Sequence, residues 1–202
     1  MIPYLQISFL ILSYLLGSIP FGLLLAKLAG HGDIRKIGSG NIGATNVLRT
    51  GDKKLAALTF LLDGGKGAAA VLLTQAVFPQ EAPLAGLLVL VGHILPVWLD
   101  FKGGKGVATT IGVLTALAWP VGLIVMALWL LIAYASRYSS LAALLSIGIS
   151  PALVLLFGHG DWMWLPVSML MLIVWKHAAN IQRLIEGKES KIGAVKNEPP
   201  AA

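Results

Sequence analysis

Apolar residues occur in seven long runs that short polar segments separate. The runs cover residues 2–26, 55–78, 84–98, 107–119, 121–135, 141–157 and 162–175. Within each run the apolar residues are nearly continuous and do not recur on one face, as they would in a surface helix. Continuous apolar runs that approach about 20 residues are typical of helices that cross a bilayer. The pattern therefore predicts an all-α, polytopic membrane bundle of about seven helices.

The number of helices depends on whether the chain breaks at Trp119-Pro120. A single kinked helix over residues 107–135 would leave six spans and divide the Lys and Arg residues nine against six between the two sides. Seven spans with an outside N-terminus place all 15 on one side. Because cytoplasmic loops carry the excess of Lys and Arg, we expect seven helices, an outside N-terminus and a cytoplasmic C-terminus.

Composition narrows the classes of protein that remain. The chain has 202 residues, 57% of them hydrophobic, 12% charged and none cysteine. A single membrane domain over residues 1–191 fits this length, and the polar, Pro-ended residues 192–202 are expected to be disordered. The net charge of +6 records topology in a membrane chain, so we expect no nucleic acid partner. Without cysteine, thiol chemistry is excluded.

The first polar segment, "GSGNIGATNVLR", follows the first apolar run. Its glycines match G-x-G-x-x-G, but no strand precedes them, so a dinucleotide-binding fold is excluded. Glycines let backbone N–H groups approach an anion, hydroxyl and amide side chains add donors, and arginine adds a bidentate fork for phosphate. An ordinary turn between helices is the alternative. The candidate phosphate ligands are Ser39, Gly40, Asn41, Gly43, Thr45, Asn46 and Arg49.

The second polar segment, "FKGGKGVAT", leads directly into the fourth apolar run. The free N–H groups and partial positive charge of a helix N-terminus make such a loop a second candidate anion site. It is not a Walker A loop, because Gly106 follows Lys105 where that motif needs Ser or Thr. A related piece, "DGGKG", lies inside the second run. There Asp63 and Lys66 are three residues apart, so we expect them to pair and neutralise each other.

The third polar segment, "HAANIQR", follows the last apolar run. His177, Asn180 and Arg183 recur every three residues and would share one face if the helix continued. They fall on the same predicted side as both glycine loops, so we assign them to the site. The other histidines, His31, His93 and His159, are expected to be structural.

Several kinds of catalytic site are absent from the sequence. It has no paired carboxylates, His/Cys cluster, H-E-x-x-H, G-x-S-x-G or His-x4-Asp. We therefore expect no metal or cofactor and a substrate that carries its own leaving group. A small anion channel or transporter is the alternative, but it predicts polar residues on both faces, and the predicted outer loops contain no cation.

The segments "SGNIGATNVLR", "GHILPVWLDFKGGKGVAT" and "HAANIQRLIEGKE" together resemble the motifs of the bacterial, membrane-integral glycerol-3-phosphate acyltransferases that use acyl phosphate. The resemblance covers nearly the whole chain. It implies transfer of a fatty acyl group from acyl phosphate to the 1-hydroxyl of glycerol 3-phosphate, giving lysophosphatidic acid and phosphate in the first step of phospholipid synthesis. The expected location is the inner membrane among its lipids, with the motifs on the cytoplasmic side.

The resemblance also implies the substrate ligands, and the chemistry of acyl transfer suggests the catalytic roles. A hydroxyl must be deprotonated and an oxyanion stabilised, so we expect Lys105 to stabilise charge, and His177 with Asn180 to orient or deprotonate the hydroxyl. Either His177 or the phosphate of the donor is the base, and the sequence leaves both open. The expected substrate ligands are Ser39, Asn41, Thr45, Asn46 and Arg49, the glycines Gly103, Gly104 and Gly106, Arg183, and Ser140 from the similar segment "RYSSLAA".

Overall fold

The computed structural model describes residues 2–193, and the regular elements of that part are helices. Short 3-10 turns connect some of them. The helices are α1 (Ile2–Gly17), α2 (Phe21–Leu28), α3 (Ala44–Val47), α4 (Lys53–Gln75), α5 (Ala82–Ile94), α6 (Val107–Leu117), α7 (Trp119–Ser136), α8 (Ser139–Gly148), α9 (Ser150–Leu156), α10 (Trp164–Lys176) and α11 (Ala178–Ile185).

Each of the seven apolar runs is helical, and two of the breaks between helices occur next to prolines. The first run divides into α1 and α2, which are bent by 44° where Pro20 precedes α2. Proline removes a backbone donor and clashes with the preceding turn, so a helix bends or ends there. The chain also breaks at Ala118, and Pro120 lies in the first turn of α7. The single kinked helix over residues 107–135 does not form.

The helices have the lengths and surfaces of an integral membrane protein. Among residues 2–193, four helical segments are long and apolar enough to cross a bilayer, and the bent pair α1–α2 makes a fifth. Helices α6 and α10 are apolar but shorter. Large apolar side chains such as Leu72, Leu73, Leu130 and Leu131 are more than half exposed, as expected of surfaces that face lipid chains.

Glycines let two pairs of helices approach closely. In the contact between α4 and α6, a Cβ added to Gly112 would lie 2.0 Å from the carbonyl oxygen of Gly64. In the contact between α1 and α5, a Cβ on Gly17 would lie 2.1 Å from the carbonyl oxygen of Val89. Small residues at helix contacts are the usual means of close packing inside membranes. These contacts set the spacing between α4 and α6 and between α1 and α5.

Candidate active site

Residues from all three polar segments surround a cavity of about 130 Å³. The junction between α7 and α8 and the chain that follows α11 also contribute to its wall. The residues of the wall that the sequence had singled out as ligands or catalytic groups are Ser39, Asn41, Gly43, Thr45, Asn46, Arg49, Lys105, Gly106, Ser140, His177, Asn180 and Arg183.

Asn46 holds the first glycine-rich loop in shape. Its side chain is buried and its Nδ2 donates to the carbonyl oxygens of Ile34 (2.7 Å) and Ile37 (3.3 Å). Its Oδ1 accepts from the backbone N–H and the hydroxyl of Ser39, at 3.1 and 3.3 Å. Both ends of the amide are therefore used inside the loop, and Asn46 orients Ser39.

Arg49 extends its guanidinium across the loop at the cavity wall. Gly38 has a φ of +55° and lies directly beneath it, since a Cβ at that position would approach Arg49 Cδ to 2.5 Å. One guanidinium nitrogen donates to Ser190 Oγ at 2.7 Å. A hydroxyl is a neutral acceptor, so a phosphate oxygen that replaced it would form a stronger, charge-assisted bond with the same nitrogen.

The second loop is attached to the end of α5. The N–H groups of Gly103 and Gly104 donate to the carbonyl oxygens of Ile94 and His93, at 3.1 and 3.0 Å. Gly106 adopts a φ of +84° immediately before α6, a conformation that favours glycine. The loop thus directs the Lys105 side chain and the N-terminus of α6 toward the cavity.

A chain of polar contacts connects the second and third segments. Lys105 Nζ donates to Asn180 Oδ1 at 2.5 Å, and Asn180 Nδ2 donates to Glu189 Oε1 at 2.6 Å. The same carboxylate accepts from Ser140 Oγ (2.7 Å) and from Arg183 Nε (2.7 Å). An ammonium group can only donate and a carboxylate can only accept, so the orientation of the Asn180 amide is unambiguous.

The charges in this network alter the pKa values of its members. Burial lowers the pKa of Lys105 to about 8; Glu189 opposes this effect and the neighbouring cations, Arg183 first among them, add to it. Burial would raise the pKa of Glu189, but hydrogen bonds from Asn180, Ser140 and Arg183 outweigh burial and leave it below its usual value. At neutral pH the site therefore contains a charged lysine that an ionised carboxylate partly balances.

His177 lies at the corner between α10 and α11 and is buried. Its Nδ1 is 2.8 Å from the carbonyl oxygen of Ile173. A carbonyl oxygen only accepts, so Nδ1 carries the proton of this bond and Nε2 keeps a free lone pair. Burial and the nearby Lys105 charge lower the pKa of His177 to about 4. The imidazole is therefore neutral at physiological pH, the form that can accept a proton.

Comparison with known proteins identifies the group to which this chain belongs. Residues 7–187 match the family model described as glycerol-3-phosphate acyltransferase. The chain belongs to the glycerol-3-phosphate acyltransferase family. Among its relatives, the glycerol-3-phosphate acyltransferase of Mesorhizobium japonicum is 57% identical over 185 residues, which cover 92% of this chain and 95% of that protein. The enzyme of Paramagnetospirillum magneticum is 55% identical over 184 residues, covering 91% and 92%.

Solved structures agree with the sequence relatives. The fold is similar to a crystal structure of PlsY (YgiH), an integral membrane glycerol 3-phosphate acyltransferase, in its glycerol 3-phosphate form. The TM-score is 0.88 and the identity 38%, over 93% of this chain and 96% of that one. A second structure of PlsY, in the lysophosphatidic acid form, has a TM-score of 0.86 at 38% identity, over 93% and 95%. The chain is therefore an acyltransferase and a membrane protein.

Three glycines predicted for this acyltransferase site do not line the cavity, namely Gly40, Gly103 and Gly104. The amides of Gly103 and Gly104 are used in bonds to α5, so they shape the loop. The polar stripe of the third segment also forms differently from the expectation. Helix α10 ends at Lys176 and α11 begins at Ala178, so the stripe bends around His177 and still faces the cavity.

The chain after α11 contributes residues to which sequence reasoning gave no role. Glu189, Ser190 and Lys191 line the cavity together with Ile192 and Gly193. The backbone N–H of Ile192 donates to the carbonyl oxygen of Arg137 at 2.7 Å. Residues 192 and 193 belong to the tail that was expected to be disordered, and residues 194–202 of that tail lie outside the described part of the chain.

The remaining wall of the cavity mixes apolar and buried charged side chains. Phe60 and Trp129 line it, with ring centroids 6.4 Å apart. Asp63 and His93 line it as well, although His93 was expected to be structural. By contrast, His31 lies 3.7 Å from Asp52 and is not part of the cavity wall.

Proposed function

We propose that this acyltransferase transfers a fatty acyl group from acyl phosphate to the 1-hydroxyl of glycerol 3-phosphate, releasing lysophosphatidic acid and inorganic phosphate. The observation that carries the proposal is the convergence of Arg49, Lys105, His177 and Asn180 on one cavity. Two separate cationic groups suit a reaction with two phosphate-bearing substrates. The printed names of the relatives and of PlsY support glycerol 3-phosphate as the acceptor.

Arg49 and the first loop are assigned to the acceptor. The guanidinium already donates to the Ser190 hydroxyl, and a phosphate can take that place with two parallel hydrogen bonds. Ser39 and Thr45 add hydroxyl donors at the same wall. Asn46 does not touch substrate in this assignment, because its amide is occupied by the loop itself.

Lys105 and the N-terminus of α6 are assigned to the donor. A charged lysine beside helix N–H groups is suited to the phosphate of the donor and to the oxyanion that develops on its carbonyl. The acyl chain would run along the Phe60 ring on α4 and the Trp129 ring on α7 toward the bilayer, since these two packed rings line the cavity.

The chemical step needs no covalent enzyme intermediate. The acceptor hydroxyl oxygen attacks the acyl carbon, the carbonyl becomes a tetrahedral oxyanion, and its collapse breaks the bond to phosphate, which leaves with the electron pair. The hydroxyl proton goes either to His177 Nε2, which has a free lone pair, or to an oxygen of the donor phosphate. Asn180, held by Lys105 and Glu189, orients the reacting groups.

The experiment that tests the reaction supplies purified protein and glycerol 3-phosphate with acyl phosphate, acyl thioester or no donor. Lysophosphatidate and an equal amount of phosphate are expected from acyl phosphate, without loss of activity in EDTA. Denatured enzyme trapped during turnover should carry no acyl group in its mass spectrum. Preference for the thioester, inhibition by EDTA or an acyl adduct would contradict the proposal.

The proposed topology has seven crossings of the bacterial inner membrane, an outside N-terminus and the site at the cytoplasmic face. Its support is the placement of all 15 Lys and Arg residues on one side in that arrangement. Because the chain has no cysteine, single cysteines can be introduced at the exposed positions Lys36, Lys102, Gln182 and Gln80. The first three should be labelled from the cytoplasm and Gln80→Cys from outside. Labelling of Gln182→Cys from outside would contradict the topology of seven crossings.

A further inference from the structure

Three buried ionisable side chains form a cluster below the loop that carries Lys105. Asp63 and Lys66 lie on α4, and His93 lies on α5. Lys66 Nζ is 3.0 Å from Asp63 Oδ1, and His93 Nδ1 is 3.6 Å from the same oxygen. All three side chains are at most 4% exposed. Burying charge this deeply is unfavourable unless the groups are paired, so the cluster requires an explanation.

The contacts of Lys66 explain why it is buried, whereas they do not explain why His93 is buried beside Asp63. Lys66 Nζ also donates to the carbonyl oxygen of Ile19 at 2.7 Å, where the bend between α1 and α2 frees backbone groups. At 3.6 Å, His93 Nδ1 faces Asp63 Oδ1 slightly beyond hydrogen-bond distance, in a buried electrostatic contact that can orient the imidazole. Asp63 Oδ1 is held by the ion pair with Lys66, whereas within residues 2–193 His93 Nδ1 has no hydrogen-bond partner. Both residues nevertheless line the cavity.

The other edge of the His93 ring supports the Lys105 loop. A Cβ added to Gly104 would lie 2.1 Å from His93 Nε2, so the ring and the loop backbone are in direct contact. The carbonyl oxygen of His93 accepts the N–H of Gly104 at 3.0 Å. Asp63 is connected to the following helix too, because its carbonyl oxygen accepts from Thr109 Oγ1 at 3.0 Å. The pair therefore contacts the chain on both sides of Lys105.

We propose that Asp63 and His93 act as positioning residues for acyl transfer. Asp63 orients the imidazole of His93. The imidazole supports the backbone of Gly104 and so determines how far Lys105 extends toward the donor. The inference rests on the proposed function and deepens it. It also assigns a role to Asp63 beyond neutralising Lys66. A misplacement of about 1 Å at a reacting group is sufficient to lower a rate by as much as about 100-fold.

Two substitutions at His93 separate the contact with Asp63 from the contact with Gly104. In His93→Asn the amide nitrogen stands near the position of Nδ1 and can donate to Asp63. In His93→Gln the amide nitrogen stands near Nε2, beside Gly104, and the link to Asp63 is lost. We expect His93→Gln to lower kcat about 10- to 100-fold and to raise the KM for acyl phosphate, with the KM for glycerol 3-phosphate unchanged within about twofold. His93→Asn should retain several times more activity than His93→Gln.

A paired substitution tests whether the ring acts only by its size. Gly104→Ala should be nearly inactive, because its methyl group meets His93 Nε2. His93→Ala removes that clash in the double variant but also removes the imidazole. The proposal predicts that Gly104→Ala/His93→Ala is no more active than His93→Ala alone. Recovery of wild-type kcat in the double variant would overturn it, since a ring that acts only as a spacer could be replaced by the methyl group.

The control is His159→Asn, because His159 packs against the Trp162 ring and does not line the cavity. It should keep wild-type kinetics. Only variants whose thermal unfolding midpoint in detergent matches that of the wild type should be compared. Wild-type kcat and both KM values in folded His93→Gln would overturn the positioning role while leaving the proposed function intact. A wild-type enzyme that makes no lysophosphatidate would instead contradict the proposed function itself.

Discussion

The two glycine-rich loops have similar compositions but use their polar groups differently. In the loop of residues 38–49, the buried Asn46 amide bonds to Ser39 and to the backbone of the turn just before the loop. Thr45 contacts the Ser139 hydroxyl on α8, and Arg49 is the cation that extends to a distant partner, Ser190. In the loop of residues 101–106, Lys105 reaches Asn180 on α11 and through it Glu189. The first loop is a frame for one arginine, and the second supplies charge to a shared network.

From this difference we propose that binding and chemistry are divided between the loops. A frame that presents one guanidinium should affect how tightly the acceptor phosphate binds. A network that couples Lys105, Asn180 and Glu189 should affect the rate of transfer, because each member sets the orientation of the next. Substitutions in the two loops are therefore expected to change different kinetic constants.

The largest effect is expected for Lys105→Ala. Loss of one charge-stabilising group typically lowers the rate about 100-fold or more, and here the loss should persist at every pH. Steady-state kinetics in detergent measure it. Lys102→Ala is the matched control, because Lys102 lies three residues earlier in the same loop, is exposed and does not line the cavity. Equal losses in the two variants would show that the loop responds to any change of charge.

His177→Gln should have the next largest effect, a loss of about 10- to 100-fold in which kcat falls and both KM values rise. Glutamine keeps a hydrogen-bonding side chain without a titratable group. The pKa of His177 is about 4, so the variant should keep the wild-type pH dependence above about pH 5. Nearly full activity would assign the base to the donor phosphate, and complete loss with intact acceptor binding would assign it to His177.

Arg49→Lys should raise the KM for glycerol 3-phosphate about tenfold and change the KM for acyl phosphate little. Lysine retains the charge but cannot form two parallel hydrogen bonds to one phosphate. Varying each substrate at a saturating level of the other provides the measurement. If the KM for the donor rises instead, the assignment of the two loops to the two substrates must be reversed.

A moderate effect of pH is expected from the titration of Lys105. Because the pKa of Lys105 is about 8, its positive charge is present below that pH and is lost as the pH rises through it. The wild-type kcat should fall about fourfold between about pH 7 and pH 8.5. In Lys105→Arg the guanidinium stays charged, so whatever activity remains should not decline over this range. A decline of the same size in Lys105→Arg would place the titrating group elsewhere.

The smallest effect is expected for Ser190→Ala. Its hydroxyl accepts from Arg49 where the acceptor phosphate is proposed to bind, so the two compete for one guanidinium nitrogen. Removing a neutral, exposed hydrogen bond should lower the KM for glycerol 3-phosphate about twofold and leave kcat unchanged. A rise in that KM would instead make Ser190 a ligand of the acceptor.

The helices and most cavity residues could be predicted because each depends on local sequence. Apolar runs specify membrane helices, and Pro120 separates α6 from α7 because proline fits the first turn of a helix and disrupts its interior. Glycine and cationic residues before Val107 predict an anion site from neighbouring positions alone. The three motifs then converge because the helix ends that carry them lie around one cavity.

Contacts between distant helices could not be predicted in the same way. Asp63 and His93 are 30 positions apart in the sequence, on different helices, and no periodicity connects them. Glu189 lies in a polar segment without apolar neighbours, and its role depends on a fold-back that the contact between Ile192 and Arg137 helps to hold. The sequence offered one signal for it. The first two carboxylates after Arg183 are Glu186, directly after α11, and Glu189, three residues later.

In the proposed reaction, one cavity holds both substrates together and the acyl group passes directly between them. Initial rates measured over a grid of glycerol 3-phosphate and acyl phosphate concentrations test it most directly. Direct transfer predicts double-reciprocal lines that intersect, because both substrates must be bound before any product leaves. Parallel lines, the pattern of a covalent acyl-enzyme, would contradict direct transfer between the two substrates.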